Sequence, residues 1–90
     1  MINEWRKTGR IEDGGCTTIM YRPVPTPQHI DVRVESRKRP IPHSNGVGTW
    51  DLTTYFVVRD GADVIEKHTL ADAKKAAEEL IRRDAEKWRF

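Results

Sequence analysis

The stretch TYFVVRDGADVIEKHTLADAKKAAEELI, residues 54–81, predicts a strand, a tight turn, a second strand and a helix. The helix is expected from Thr69 to about Trp88. Thr69 is placed to cap it, because its side-chain oxygen can accept from the backbone N–H of Asp72, whose own charge favours the positive helix end. One apolar stripe then follows helical spacing: Leu70, Ala73, Ala77, Leu80, Ile81 and Trp88.

The segment before the helix predicts a hairpin. Apolar and polar side chains alternate from Trp50 to Arg59, and Asp60-Gly61 is typical of a type I′ turn because both residues can adopt positive φ. A two-residue turn there pairs Phe56 with Ile65. The side chains then expected on the core side are Trp50, Leu52, Phe56 and Ile65. Those expected on the uncovered face are Tyr55, Val57 and Val64, unless the N-terminal segment with Trp5 folds over them.

Three upstream segments complete the predicted sheet. Ile30, Val32 and Val34 alternate with charged residues, and Thr17–Arg22 predicts a further strand that Pro23, Pro25 and Pro27 end. Residues 1–15 are expected to form an edge strand or a loosely attached arm, and residues 40–49 a long loop. The predicted fold class is α+β, with a four- or five-stranded antiparallel sheet packed on one C-terminal α-helix.

Composition narrows the class of protein. Ninety residues fit one domain, 1–90, and a net charge of +2 gives no strong indication of nucleic-acid binding. Cys16 is the only cysteine, so no intrachain disulfide can form, which agrees with a reducing compartment. No apolar run resembles a signal peptide or a membrane span. We expect a cytoplasmic protein that makes no membrane contact.

Residues suited to catalysis or metal binding do not show the spacing that catalytic motifs and metal sites require. His29, His43 and His68 lie in three separate segments, and no serine stands in a nucleophile elbow. We therefore expect no enzymatic activity, no cofactor and no metal.

A basic strand face is the best candidate for binding. Arg33, Arg37 and Arg39 share the polar side of one strand, with Lys38 beside them, and Arg59 and Tyr55 are expected on the matching face of the hairpin. Arginine beside an aromatic ring suits phosphates, stacked bases or carboxylates. The competing interpretation is a solvated face in which nearby acids neutralise these arginines: Asp31, Glu35 and Asp51.

The stretch Thr53–Ile81 resembles the strand–turn–strand–helix unit of double-stranded-RNA-binding domains, whose helix is rich in Ala and Lys, as in residues 73–77. The helices of that family begin with a basic cluster, whereas this one has Asp72, and the family's N-terminal helix is missing. The arrangement is also similar to the arm domains of integrases, which bind DNA through a sheet. That resemblance implies DNA contacts by Arg33, Arg37 and Arg59.

The sequence thus favours a small non-enzymatic protein-binding module of inhibitor or adaptor type, such as phages and mobile elements encode, acting through its sheet face. The alternative is a DNA- or RNA-binding domain that uses the same basic residues. A homodimer through exposed aromatic and aliphatic side chains is a further expectation.

Overall fold

The computed structural model describes Ile2 and residues 4–87. Five strands precede one helix, at the following bounds: β1 Glu4–Asp13, β2 Cys16–Val24, β3 Val32–Pro42, β4 Thr49–Arg59, β5 Ala62–Lys67 and α1 Leu70–Lys87. The strands form a single antiparallel sheet in the order β1-β2-β3-β4-β5. The predicted α+β class with a C-terminal helix is confirmed. Trp88, which was expected in the helix, lies outside the described residues.

Local signals set the ends of β4, β5 and α1. Asp60 and Gly61 have φ values of 50° and 84°, so both occupy the left-handed region that a type I′ turn needs. The Thr69 hydroxyl accepts from the N–H of Asp72 at 3.1 Å and satisfies one of the free donors at the helix start. The predicted turn and the predicted cap are both confirmed.

The predicted register of the β4–β5 hairpin is wrong. Val58 opposes Asp63 as expected for a two-residue turn, but the register then shifts and Val57 opposes Ile65. Val64 is the inserted residue of a β-bulge. Because side chains alternate faces along a strand, one extra residue moves Ile65 from the side of Phe56 to the side of Val57.

The hydrophobic core lies between α1 and one end of the sheet. Val32, Val34 and Val57 are at most 2% exposed and pack against the helix residues Ala73 and Ala77, both 0% exposed. Alanine lets the helix approach the sheet closely, and each buried valine contributes roughly 1.5–3 kcal/mol. Val57 is therefore a core residue, and the expectation that it projects from the uncovered face is wrong.

Two side chains outside the valine cluster extend this core. Tyr55 and Trp5 are half-buried against it, and the Trp5 indole donates to Glu78 at 3.4 Å. Tyr55 was also expected on the uncovered face and instead lies on the helix side. Trp5 belongs to the edge strand β1 and contacts the core on the helix side, so the N-terminal segment does not fold over the uncovered face as the alternative supposed.

A buried ion pair fastens the far part of α1 to the sheet. Asp84 interrupts the apolar stripe of the helix, yet it is only 5% exposed. The Arg59 guanidinium donates to it at 2.8 Å across the interface between β4 and α1. The guanidinium satisfies a carboxylate that would otherwise be buried at a cost of several kcal/mol.

Proline does not end the strands where the sequence suggested. β2 continues through Pro23, which is buried opposite Trp5. The loop expected at residues 40–49 is shorter, because β3 runs to Pro42 and β4 begins at Thr49. Proline is tolerated at these places since the neighbouring strand is absent on one side, where a missing N–H breaks no hydrogen bond.

The sheet is longer than the helix that covers it. The described residues span 58 × 22 × 21 Å with a radius of gyration of 15.3 Å, whereas a compact chain of this length has about 12 Å. The helix contacts β3, β4 and β5, and its core partners end at Val34 and Tyr55. Beyond them the β3–β4 hairpin continues with no layer on either side among the described residues.

Removing Arg59 should destabilise the fold more than removing its partner Asp84. Arg59→Ala leaves Asp84 buried and unpaired, which we expect to cost about 3 kcal/mol or more. Asp84→Ala leaves an arginine whose side chain is 34% exposed and has Asp60 at 3.6 Å, so its cost should be about 1–2 kcal/mol.

Urea-induced unfolding measures both free energies. The control is Arg83→Ala, which removes an exposed pair with Glu79 and should cost only about 0.3–0.5 kcal/mol. An Arg59→Ala variant no less stable than this control would contradict the role assigned to the buried pair.

Candidate functional site: the open face of the sheet

The sheet face turned away from α1, called the open face below, is the candidate site. Residues that oppose each other across an antiparallel ladder share a face, and neighbours along a strand do not. Since Val34 and Val57 lie under the helix, Glu35 and Phe56 lie on the open face. The pairings extend this assignment across every strand.

Beside the row that joins Arg6 with Arg22, and Arg33 with Val58 and Asp63, four further rows of opposed residues cross the open face. The first runs through Gly9, Met20, Glu35, Phe56 and Glu66. The second runs through Ile11, Thr18, Arg37 and Thr54. The third and fourth lie on the β3–β4 hairpin alone, Arg39 with Leu52 and Ile41 with Trp50.

Arg37 is the centre of the polar part of this face. Its guanidinium donates to both carboxylate oxygens of Asp63 at 2.8 Å and to Glu35 at 2.9 Å, and it lies 4.2 Å from the centre of the Phe56 ring. The hydrogen bonds to Asp63, together with the charge of Glu35, raise the pKa of Arg37 above its usual range. The same hydrogen bonds lower the pKa of Asp63. A planar, bidentate and stacked contact of this kind requires arginine.

Glu35 is a buried carboxylate on the open face. It is 6% exposed and accepts from Arg33 on one side and Arg37 on the other. Both carboxylate oxygens are thereby satisfied, and no buried side-chain N or O in the described part of the chain lacks a partner. The two arginines cover Glu35 and form a fixed polar centre.

Most arginines of the open face are already neutralised. The ion pairs are Arg6–Glu4, Arg22–Asp31, Arg33–Glu35, Arg37–Glu35 and Arg37–Asp63. Arg39, which is exposed, has no ion pair among residues 4–87. Of the acids that the sequence offered as partners for the basic strand, Glu35 takes that role, whereas Asp31 binds Arg22 of β2.

The structure divides the predicted site residues between two faces. Arg33, Arg37 and Arg39 lie together on the open face, as expected. Lys38 lies on the helix side of β3, because it is adjacent to both Arg37 and Arg39. Arg59 and Tyr55 do not lie on the matching face, since both share the side of Val57. Arg59 binds Asp84 in the helix instead.

The sequence interpretation missed the apolar part of the site. Ile11 is 54% exposed and Trp50 is 45% exposed, and Leu52 lies on the same face of β4 between Trp50 and Phe56. Trp50, Leu52 and Phe56 had been assigned to the core. Their alternation in the sequence is real, but alternation alone does not say which face receives the helix.

Gly9 shapes the surface beside Ile11. A methyl group at Gly9 would stand 2.6 Å from the terminal carbon of Met20. The absent side chain therefore lets Met20 lie across β1, next to the bulge that follows Lys7. Met20 thus lies on the open face with Ile11, Phe56, Leu52 and Trp50. These five side chains are called the apolar strip below.

The rest of the described molecule contains a groove but no metal-ligand cluster. A groove of about 690 Å³ runs along α1 and is lined by Pro25, Pro27, His29, Ile81 and Ala85, among others. Within residues 4–87 no three His, Cys, Asp or Glu side chains come together as metal ligands. No helix among the described residues is both long and apolar enough to cross a membrane.

Comparison of the chain with models of known protein families, with curated proteins and with solved structures finds no match. The open face must therefore be interpreted from its own chemistry.

The Arg37–Asp63 contact predicts a pH dependence of stability. A carboxyl group whose pKa is lower in the folded state contributes stability above its unfolded pKa, near 3.8, and loses it as the pH falls through the folded value. Wild type should therefore lose stability to acid in that range more steeply than Asp63→Asn. Asp63 is 46% exposed, so water screens the contact and the difference should be small.

Urea unfolding at several pH values below 5 measures this difference. Glu79→Asn, at an exposed i,i+4 pair on the helix, serves as the matched control. Identical pH profiles for wild type and Asp63→Asn would refute the assigned interaction.

Proposed function

We propose that this protein is a non-enzymatic binding module that recognises a protein partner through the open face of its sheet. The observation that carries the proposal is the side-by-side arrangement of exposed apolar side chains and neutralised arginines. Trp50 and Ile11 are about half exposed, while Arg37 is held flat on Phe56 by two acids.

The chemistry of the face is typical of protein interfaces. Such interfaces are enriched in aromatic residues, Met and Arg, and depleted of Lys, Glu, Asp and Ser at their centre. The central rows supply Phe56, Met20, Trp50 and Arg37, with Glu35 shielded beneath the arginines. The lysine adjacent to this strip, Lys38, points to the other side.

The size of the open face and the fixed conformation of its arginines also suit a protein contact. A stable interface buries about 800 Å² on each partner, and the described residues extend over 58 Å along their longest axis. The arginine forks are fixed before binding by Glu35 and Asp63, so little side-chain entropy remains to be lost. A partner gains apolar contact area along the strip and hydrogen-bond acceptors or donors at its polar end.

The alternative, a DNA- or RNA-binding domain, has weaker support. Binding to a phosphate backbone draws on cations that release counterions. Arg33 and Arg37 already hold carboxylates, and Arg59, which the resemblance to integrase arm domains implied as a contact, lies on the helix side. Of the three arginines predicted on β3, Arg39 alone has no ion pair among the described residues and could bind a phosphate without first losing a carboxylate.

Two adjacent residues of β1 give a matched test of the proposed surface. Ile11 lies on the open face, whereas Arg10 opposes Ile19 on the other side of the same strand. Ile11→Asp should weaken partner binding at least tenfold, because placing a charge in an apolar contact should cost more than about 1.4 kcal/mol. Arg10→Asp introduces the same side chain one residue away and should leave binding unchanged.

The measurement is retention of proteins from an extract of the source cells on immobilised wild type and on both variants, followed by titration of the retained protein. Loss by both variants, or by neither, would contradict recognition through the open face. Tight, steeply salt-dependent binding to duplex DNA would favour the alternative.

A further inference from the structure

The β4 strand has an edge that nothing in the described part of the chain covers. β5 pairs with β4 only from Tyr55 to Arg59. Residues Thr49 to Thr54 pair with β3 on one side and have no strand on the other. An uncovered edge presents a row of backbone donors and acceptors to any chain that can pair with it.

The remaining sheet edges carry features that discourage pairing. β1 is rich in charged side chains and is interrupted by a bulge after Lys7. β5 has only six residues and contains the bulge at Val64. The free side of β3 carries Pro40 and Pro42, which have no N–H. The stretch Thr49–Thr54 contains neither proline nor a bulge, carries a single charge at Asp51, and consists mainly of β-branched and aromatic residues.

The prolines also determine which groups of β4 point outward. Pro40 opposes Asp51 and Pro42 opposes Thr49. Because proline has no N–H, these are non-hydrogen-bonded pairs, in which the backbone groups of both residues point away from the partner strand. The N–H and C=O groups of Thr49, Asp51 and Thr53 therefore face the uncovered edge.

We propose that this edge pairs antiparallel with the same edge of a second copy of the chain, about a two-fold axis at Leu52. The dimer joins the two sheets at β4 and places both open faces on the same side. It goes beyond the proposed function, because it requires no other partner.

Symmetry and charge together select this register. A two-fold axis perpendicular to the sheet keeps the open faces together, so opposed residues must both be even-numbered or both odd-numbered. The longest registers that meet this condition are centred on Asp51 or on Leu52. The first opposes Asp51 to its own copy, and like charges directly opposite each other are unfavourable. The second opposes Asp51 to Thr53.

The register centred on Leu52 pairs residues 50–54 and leaves Thr49 outside the paired segment. Asp51 of one copy and Thr53 of the other exchange their outward backbone hydrogen bonds. Leu52 meets Leu52 at the axis, and Trp50 opposes Thr54 with the partner's Leu52 as its diagonal neighbour. Pairing stops at Thr54 because Tyr55 is already bonded to Lys67 of its own β5.

The dimer also extends the apolar strip of the open face. Leu52 and Trp50 from both copies meet at the junction, so the strip continues from one molecule into the other. The pairing segment is short, and an interface of this size belongs to the weak end of specific associations. We therefore expect a dimer that dissociates on dilution.

Cysteine cross-linking tests the register in the full chain. In a Cys16→Ser background, Leu52→Cys places two thiols in a non-hydrogen-bonded pair, with Cα atoms about 4.5 Å apart, within the range of a disulfide. Asp51→Cys is the matched control, because its two copies are offset by more than about 7 Å and cannot be bridged without backbone movement. Under mild oxidation, the Leu52→Cys variant should form a covalent dimer at least about tenfold faster.

Light scattering through a dilution series tests the edge itself. Wild type should approach twice its 10.4 kDa mass at high concentration. Thr53→Pro removes an outward N–H and should remain monomeric, whereas Thr49→Pro makes the same change on the same edge outside the paired segment and should still dimerise. Circular dichroism checks that both variants are folded.

Three results would overturn the proposal: a monomeric wild type at all concentrations, equal dimerisation of the two proline variants, or faster cross-linking of Asp51→Cys than of Leu52→Cys. The binding test at Ile11 is independent of all three, since Ile11 lies on β1, far from this edge in the order of the sheet. A failed dimer and a failed binding surface are therefore distinguishable.

Discussion

The packing of one alanine-rich helix face on three valines is the contact on which the rest of the structure depends. Ala73 and Ala77 bring α1 down onto Val32, Val34 and Val57, and this contact decides which face of every strand is covered. Each side chain of the alternate set is then turned to the open face. Because the helix has only eighteen residues and lies at one end, it also leaves the outer β3–β4 hairpin uncovered.

Arginine stabilises the two faces of the sheet in different ways. On the covered face, Arg59 neutralises Asp84 inside the interface with the helix, so the pair fastens two elements together. On the open face, Arg37 lies over Phe56 and binds Glu35 and Asp63, so it fixes a surface. The difference follows from burial, since the same ion pair is costly to break when water cannot replace a partner and inexpensive when it can.

Features specified by neighbouring residues could be predicted from the sequence. The turn at Asp60-Gly61 and the cap at Thr69 depend on contacts within three residues, and both were correct. The α+β class and the order of strands and helix along the chain also followed from alternation and turn signals. The hairpin register failed because the bulge at Val64 inserts one residue without a glycine or proline to signal it.

The candidate site was predictable in its charged half only. Arg33, Arg37 and Arg39 are spaced two apart on one strand, so they share a face whatever covers the other side. The positions of Arg59 and Tyr55, and of Trp50 and Leu52, depended on which face receives the helix, and alternation carries no information about that choice. The partners of each arginine are likewise set by tertiary contacts, as Asp63 and Asp84 show.

The uncovered half of the sheet is an ordered surface, held by β3–β4 pairing without a helix above it. Amide hydrogen exchange followed by NMR tests this most directly. The amide protons that point toward β3 should exchange slowly: those of Trp50, Leu52 and Thr54. The amide proton of Val58, in the part of β4 that the helix covers, should exchange more slowly still. Exchange of residues 50–54 at the rate of an unfolded chain, with residues 55–59 protected, would contradict the account.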